Sequence, residues 1–73
     1  MKARIFETLS GYMIADLNLT LTKTEALAEL LEEEKLGSVT EIRIHYGTKQ
    51  SSIALSDLDI DKIDKINELI ERM

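Results

Sequence analysis

Three aspartates at alternate positions, Asp57, Asp59 and Asp61, precede Glu68, which stands twelfth counting from Asp57. An EF-hand calcium loop begins and ends this way, with alternating oxygen ligands and a distal glutamate that closes the shell. The sixth position of such a loop must be glycine to permit its sharp turn, and here it is Lys62. A continuous helical pattern from about residue 61 also leaves no loop to wrap an ion. The aspartates therefore read as capping groups that accept from exposed helix N–H groups and complement the helix dipole. No metal or cofactor is expected.

Other catalytic chemistry has as little support. There is no cysteine, so thiol nucleophiles, disulfides and thiolate metal sites are excluded. The single histidine, His45, has no acid or nucleophile beside it in the sequence. Gly47-Thr48-Lys49 lacks the upstream glycine of a phosphate loop. The chain is expected not to be an enzyme.

The acids are concentrated instead in one segment. Glu25, Glu29, Glu32, Glu33 and Glu34 fall within ten residues, in a chain whose formal net charge is −5. Such a run is ordinarily a solvated helix face, but it is also a surface for a basic partner, or a nucleic-acid mimic. The overall acidity argues against an unspecific grip on a phosphate backbone.

The elements that must position these groups follow from a repeat. Residues 4–34 laid over residues 43–73 give nine identities in 31 pairs without a gap. They are Arg4/Arg43, Ile5/Ile44, Ile14/Ile53, Ala15/Ala54, Leu19/Leu58, Lys23/Lys62, Glu29/Glu68, Leu30/Leu69 and Glu32/Glu71. Shared composition alone would give roughly two or three. The chain of 73 residues reads as a single domain, 1–73, built from pseudo-repeat units 2–36 and 39–73.

In the first unit, residues 2–8 and 12–21 predict a β-hairpin around the three-residue loop Leu9-Ser10-Gly11. That register sets Ala3 and Ile5 opposite Leu17 and Ala15, and on the reverse face pairs Arg4 with Asp16 and Phe6 with Ile14. Thr22 and Glu25 predict a capping box for a helix whose stripe is Leu27, Leu30 and Leu31, and Gly37 predicts its stop. In the second unit, Val39–Tyr46 alternates, with Ile42, Ile44 and Tyr46 on one side. The returning strand is Ile53–Leu58, and a helix begins near Asp59–Asp61 with the stripe Ile63, Ile66, Leu69, Ile70 and Met73. The repeat places Ile53 with Ile14, away from the helices. Segregation of apolar residues favours a four-residue loop, Gly47–Gln50, that turns Ile53 and Leu55 inward, and this arrangement is preferred.

The expected fold class is α+β: a tandem ββα-ββα pseudo-repeat forming a four-stranded, mainly antiparallel sheet with both helices on one face. The helix-free face should then display Arg4, Phe6, Tyr12, Ile14, Arg43 and His45 as an interface. Aromatic and arginine side chains on an open sheet can anchor a protein or stack nucleic-acid bases, and the net charge favours the protein. Zero disulfides and a small core favour association with a second copy. The chain is expected to be a non-catalytic interaction module, a homodimer through this face. The alternatives are an acidic inhibitor that mimics nucleic acid toward a basic, DNA-handling protein, and a nucleic-acid binder using the sheet face. No apolar run approaches the ~20 residues of a membrane span, and the first residues lack a secretory signal's apolar stretch. A cytoplasmic location is expected, whether for a host protein or for the product of a mobile element.

Overall fold

The computed structural model describes residues 3–73. Strands β1 (Arg4–Thr8) and β2 (Gly11–Ala15) lead to helix α1 (Leu21–Glu33). Strands β3 (Ser38–His45) and β4 (Gln50–Ser56) follow, and a 3-10 turn (Ile60–Lys62) opens into helix α2 (Ile63–Glu71). The strands form one four-stranded sheet in the order β1-β2-β4-β3, and every neighbouring pair is antiparallel. The protein is of the α+β class.

One core lies between the sheet and the helices. Ile14, Ile53 and Leu55 from the central strands meet Leu27 and Leu31 of α1 and Ile66 and Ile70 of α2, all almost fully buried. The α2 stripe is the one its spacing predicts, with Ile63 and Met73 at its half-buried margins. A buried hydroxyl pair, Thr24 of α1 and Ser51 of β4 at 3.0 Å, fixes the helix over the sheet. Because each hydroxyl has a partner, this polar contact avoids the cost of an orphaned buried group.

The first hairpin differs from the sequence expectation by one residue. Thr8 pairs with Gly11, so the loop has two residues, Leu9 and Ser10, and Ile5 faces Ile14 while Phe6 faces Met13. A slip of one residue exchanges the faces of a strand. Ile14 consequently points into the core with no exposure. Tyr12 also lies on the core side, packed against that cluster. Both are corrections to the expected helix-free face. The predicted pairing of Arg4 with Asp16 survives as a 3.2 Å ion pair, although Arg4 stands opposite Ala15. Asp16 has a positive φ of 62°, which ends the strand and bends its carboxylate back to Arg4.

The second hairpin keeps its faces. Its loop is Tyr46–Lys49, one residue earlier than expected, with His45 opposite Gln50 and Ile42 opposite Ile53. The pairing shifts by two residues, which preserves the alternation, so Ile53 and Leu55 are inward as preferred. Tyr46 leaves the strand and is 80% exposed in the loop. The conflict over Ile53 disappears with the corrected first hairpin. Ile14 and Ile53 are direct partners on the same face, and that face is the core.

The ends of α1 are also displaced from their predicted residues. Thr20, not Thr22, is the N-cap, accepting from the Lys23 N–H at 3.3 Å. At the other end the left-handed residue is Lys35, with φ 56°, not Gly37. Its N–H donates to Glu32 O and the Leu36 N–H donates to Leu31 O, the two bonds of a Schellman stop. Leu36 and Leu31, both buried, supply the hydrophobic contact of that motif. Gly37 serves another need, since a Cβ there would lie 3.1 Å from the Ser56 carbonyl oxygen. Lys35→Gly should therefore stabilise the protein by about 0.5–1 kcal/mol, the relief of a left-handed side chain outweighing the added freedom of the unfolded chain. A urea midpoint that stays or falls would show that Lys35 is not strained.

Candidate protein-interaction face

The helix-free side of the sheet carries a short apolar row. Phe6 of β1, Met13 of β2 and Ala54 of β4 are aligned in register across three strands. Phe6 is 38% exposed, and Met13 and Ala54 are half-buried. Met13 is the residue that sequence reasoning missed, because the expected register turned it inward. Its only available signal was the length of the hairpin loop.

Charged groups flank this row. The Arg4 guanidinium lies 5.4 Å from the centroid of the Phe6 ring, within cation–π range, while also bridging Asp16. Opposite, on β3, Arg43 Nε donates to Glu41 Oε1 at 2.8 Å. That hydrogen bond holds the Glu41 carboxyl below its ordinary range and the Arg43 guanidinium above its own. Both pairs are largely solvated, so they organise the surface more than they stabilise the fold.

His45 lies at the end of β3 beside a depression of about 240 Å³ that Met13, Ala15, Asp16, Arg43 and Ser52 also line. Such a hollow falls short of the ~300–1,000 Å³ usual for small-molecule sites. The structure thus brings Arg4, Phe6, Arg43 and His45 to the helix-free face, and removes Tyr12 and Ile14 from it.

The predicted acidic surface divides. Glu25, Glu29 and Glu33 are exposed along α1. Glu32 Oε1 instead accepts from the Val39 N–H at 3.3 Å, and Glu34 bridges Lys65 of α2 at 2.8 Å. The hydrogen bond and charge of Lys65 lower the Glu34 carboxyl. All five acids are exposed; Lys65 offsets the charge of Glu34, while Glu32 keeps its charge alongside Glu25, Glu29 and Glu33. Among Asp57, Asp59 and Asp61, Asp59 Oδ1 accepts from the Asp61 N–H at 3.0 Å as the cap of the 3-10 turn. Lys62 reaches back to the Lys35 carbonyl oxygen at 3.2 Å. No group of three or more metal-ligating side chains converges among the described residues. No helix among them is long and apolar enough to cross a membrane.

The chain matches no family model, and no curated protein or solved structure is significantly similar to it.

Proposed function

We propose that this is a non-catalytic, cytoplasmic interaction module that self-associates through the helix-free sheet face. The observation that carries this reading is the aligned row Phe6–Met13–Ala54, partly exposed on a face that neither helix covers. Its flanking arginines, Arg4 and Arg43, belong to the residue types favoured in protein interfaces. Two such faces laid together bury apolar side chains that otherwise meet water.

The tandem pseudo-repeat belongs to the same proposal. Its support is local: Thr20 and Asp59, equivalent in the repeat, are both caps, and Asn18 and Asp57, also equivalent, both have positive φ. The pairing of Ile14 with Ile53 sets the units antiparallel across β2 and β4, as an internal twofold requires. A face with that internal symmetry is suited to an isologous contact.

Area limits its strength. Four strands of five to eight residues present on the order of 400 Å² in projection. A standard stable interface takes roughly 800 Å² per partner, so a weak, concentration-dependent association is expected. Phe6→Asp should weaken the contact about tenfold or more by leaving a charge in it. Light scattering across a concentration series checks this, with circular dichroism unchanged as the control for folding. An unchanged mass would remove this face from the interface. Retention of a single basic or DNA-handling protein from nuclease-treated extract would instead favour the acidic reading through Glu25, Glu29 and Glu33.

A further inference from the structure

The sheet's outer strand β3 is guarded along one half and open along the other. It ends the strand order β1-β2-β4-β3, so its far side faces no further strand among the described residues. At its start, the register shifts between Val39 and Glu41, an irregularity that places Thr40 out of step. There too the Val39 N–H is taken by Glu32 of α1. Bulges and covered donors are the usual ways of stopping strand addition. From Glu41 to His45 the register with β4 is regular.

This open stretch has an unfinished apolar margin on its helix side. Ile53 and Leu55 of β4 are fully buried, whereas Ile42 and Ile44 of β3, although Ile42 packs against the core, are only partly buried. Beyond Ile44 a groove of about 280 Å³ continues between Leu19, Leu21 and Tyr46. Leu21 is 44% exposed there. Strand addition along β3 would extend the sheet and cover this margin.

The charges on the other side of the strand select the occupant. Glu41-Ile42-Arg43 is its own complement when read antiparallel about Ile42: Glu41 meets an arginine and Arg43 meets a glutamate. Opposite charges directly across antiparallel strands stabilise a pairing, and like charges oppose it. The existing Glu41–Arg43 bond holds both groups on one face, at the spacing such a pairing needs.

We propose that β3 is a second homotypic interface, at which two copies pair antiparallel about Ile42 into one continuous sheet. The irregularity at Thr40 and the Glu32 cap then terminate the pairing on both sides of the axis, so the contact is short and closed. This interface goes beyond the face-to-face contact and does not require it, although Glu41 and Arg43 border both. Together the two contacts would stack a pair of doubled sheets.

The test uses charge exchange in a Phe6→Asp background, where the face contact is weakened. Glu41→Arg alone and Arg43→Glu alone each place like charges across the axis, and should weaken the remaining association roughly tenfold. An equimolar mixture of the two variants restores opposite charges and should recover the parental mass by sedimentation or light scattering. So should the double variant E41R/R43E on one chain. Single variants that associate like their parent, or a mixture that fails to recover, overturn the edge contact. So does a Phe6→Asp chain that is monomeric at the highest soluble concentration. A Phe6→Asp chain that associates as strongly as the unmodified protein, with charge exchange still effective, supports the edge contact and rejects the face contact.

Discussion

Gly11→Ala is expected to leave the protein largely unfolded at room temperature. Gly11 opens β2 with φ 139°, a region that side chains with a Cβ rarely enter. A Cβ there would stand 2.6 Å from the Leu55 carbonyl oxygen, well inside contact distance. That oxygen cannot retreat easily, because it belongs to the backbone of a central strand. Its residue pairs with Tyr12 and is 1% exposed. Backbone strain of about 1–3 kcal/mol adds to a clash of about 1–3 kcal/mol. A core in a chain this small rarely supplies more than about 3–5 kcal/mol in total. Gly47→Ala is the matched control, since nothing lies within 4 Å of its added Cβ. Thermal and urea unfolding followed by circular dichroism would compare the two. Equal stability would mean that β2 does not approach β4 as described.

Ile14→Ala should cost about 2–5 kcal/mol, while Met13→Ala should cost less than about 1 kcal/mol. The two residues are adjacent on β2 and point to opposite faces. Ile14 is completely buried between Ile5 and Ile53, so truncation leaves a cavity that both helices overlie. Met13 is half-buried on the helix-free side, where solvent fills the space. Urea midpoints measured on the two variants decide the register of the first hairpin. The reverse order of costs would restore a three-residue loop and return Ile14 to the open face.

The hairpins show why some features were legible and others were not. Both helices and all four strands are visible as periodicity, because each must bury one face. The Arg4–Asp16 contact follows from the expected three-residue loop and is supported by the opposite charges; the ion pair forms, but in a different register. A carboxylate just past the strand end reaches across diagonally when its own φ is positive, and no residue-level signal announces that bend. In the second hairpin the error was two residues, which leaves the faces unchanged and the core correctly assigned. The stop of α1 misled for a related reason. Glycine is the cheaper left-handed residue, but Gly37 is occupied in approaching Ser56, and Lys35 takes the turn instead. Arg4, Phe6, Arg43 and His45 lie on the helix-free side of the sheet because alternation along their own strands sets that side. Tyr12 and Ile14 depended on the loop count.

The central seam between β2 and β4 also governs how the chain can reach this structure. Each hairpin closes over a few residues and can flicker into being within microseconds. Neither is durable alone, since two strands without a covered face are marginal in water. Ile14 and Ile53, by contrast, meet across 39 residues of chain, so their encounter requires closing a large loop before any core exists. The folding barrier therefore belongs to the docking of one half on the other. Damage to the seam should slow folding, whereas damage to the outer strands should chiefly hasten unfolding.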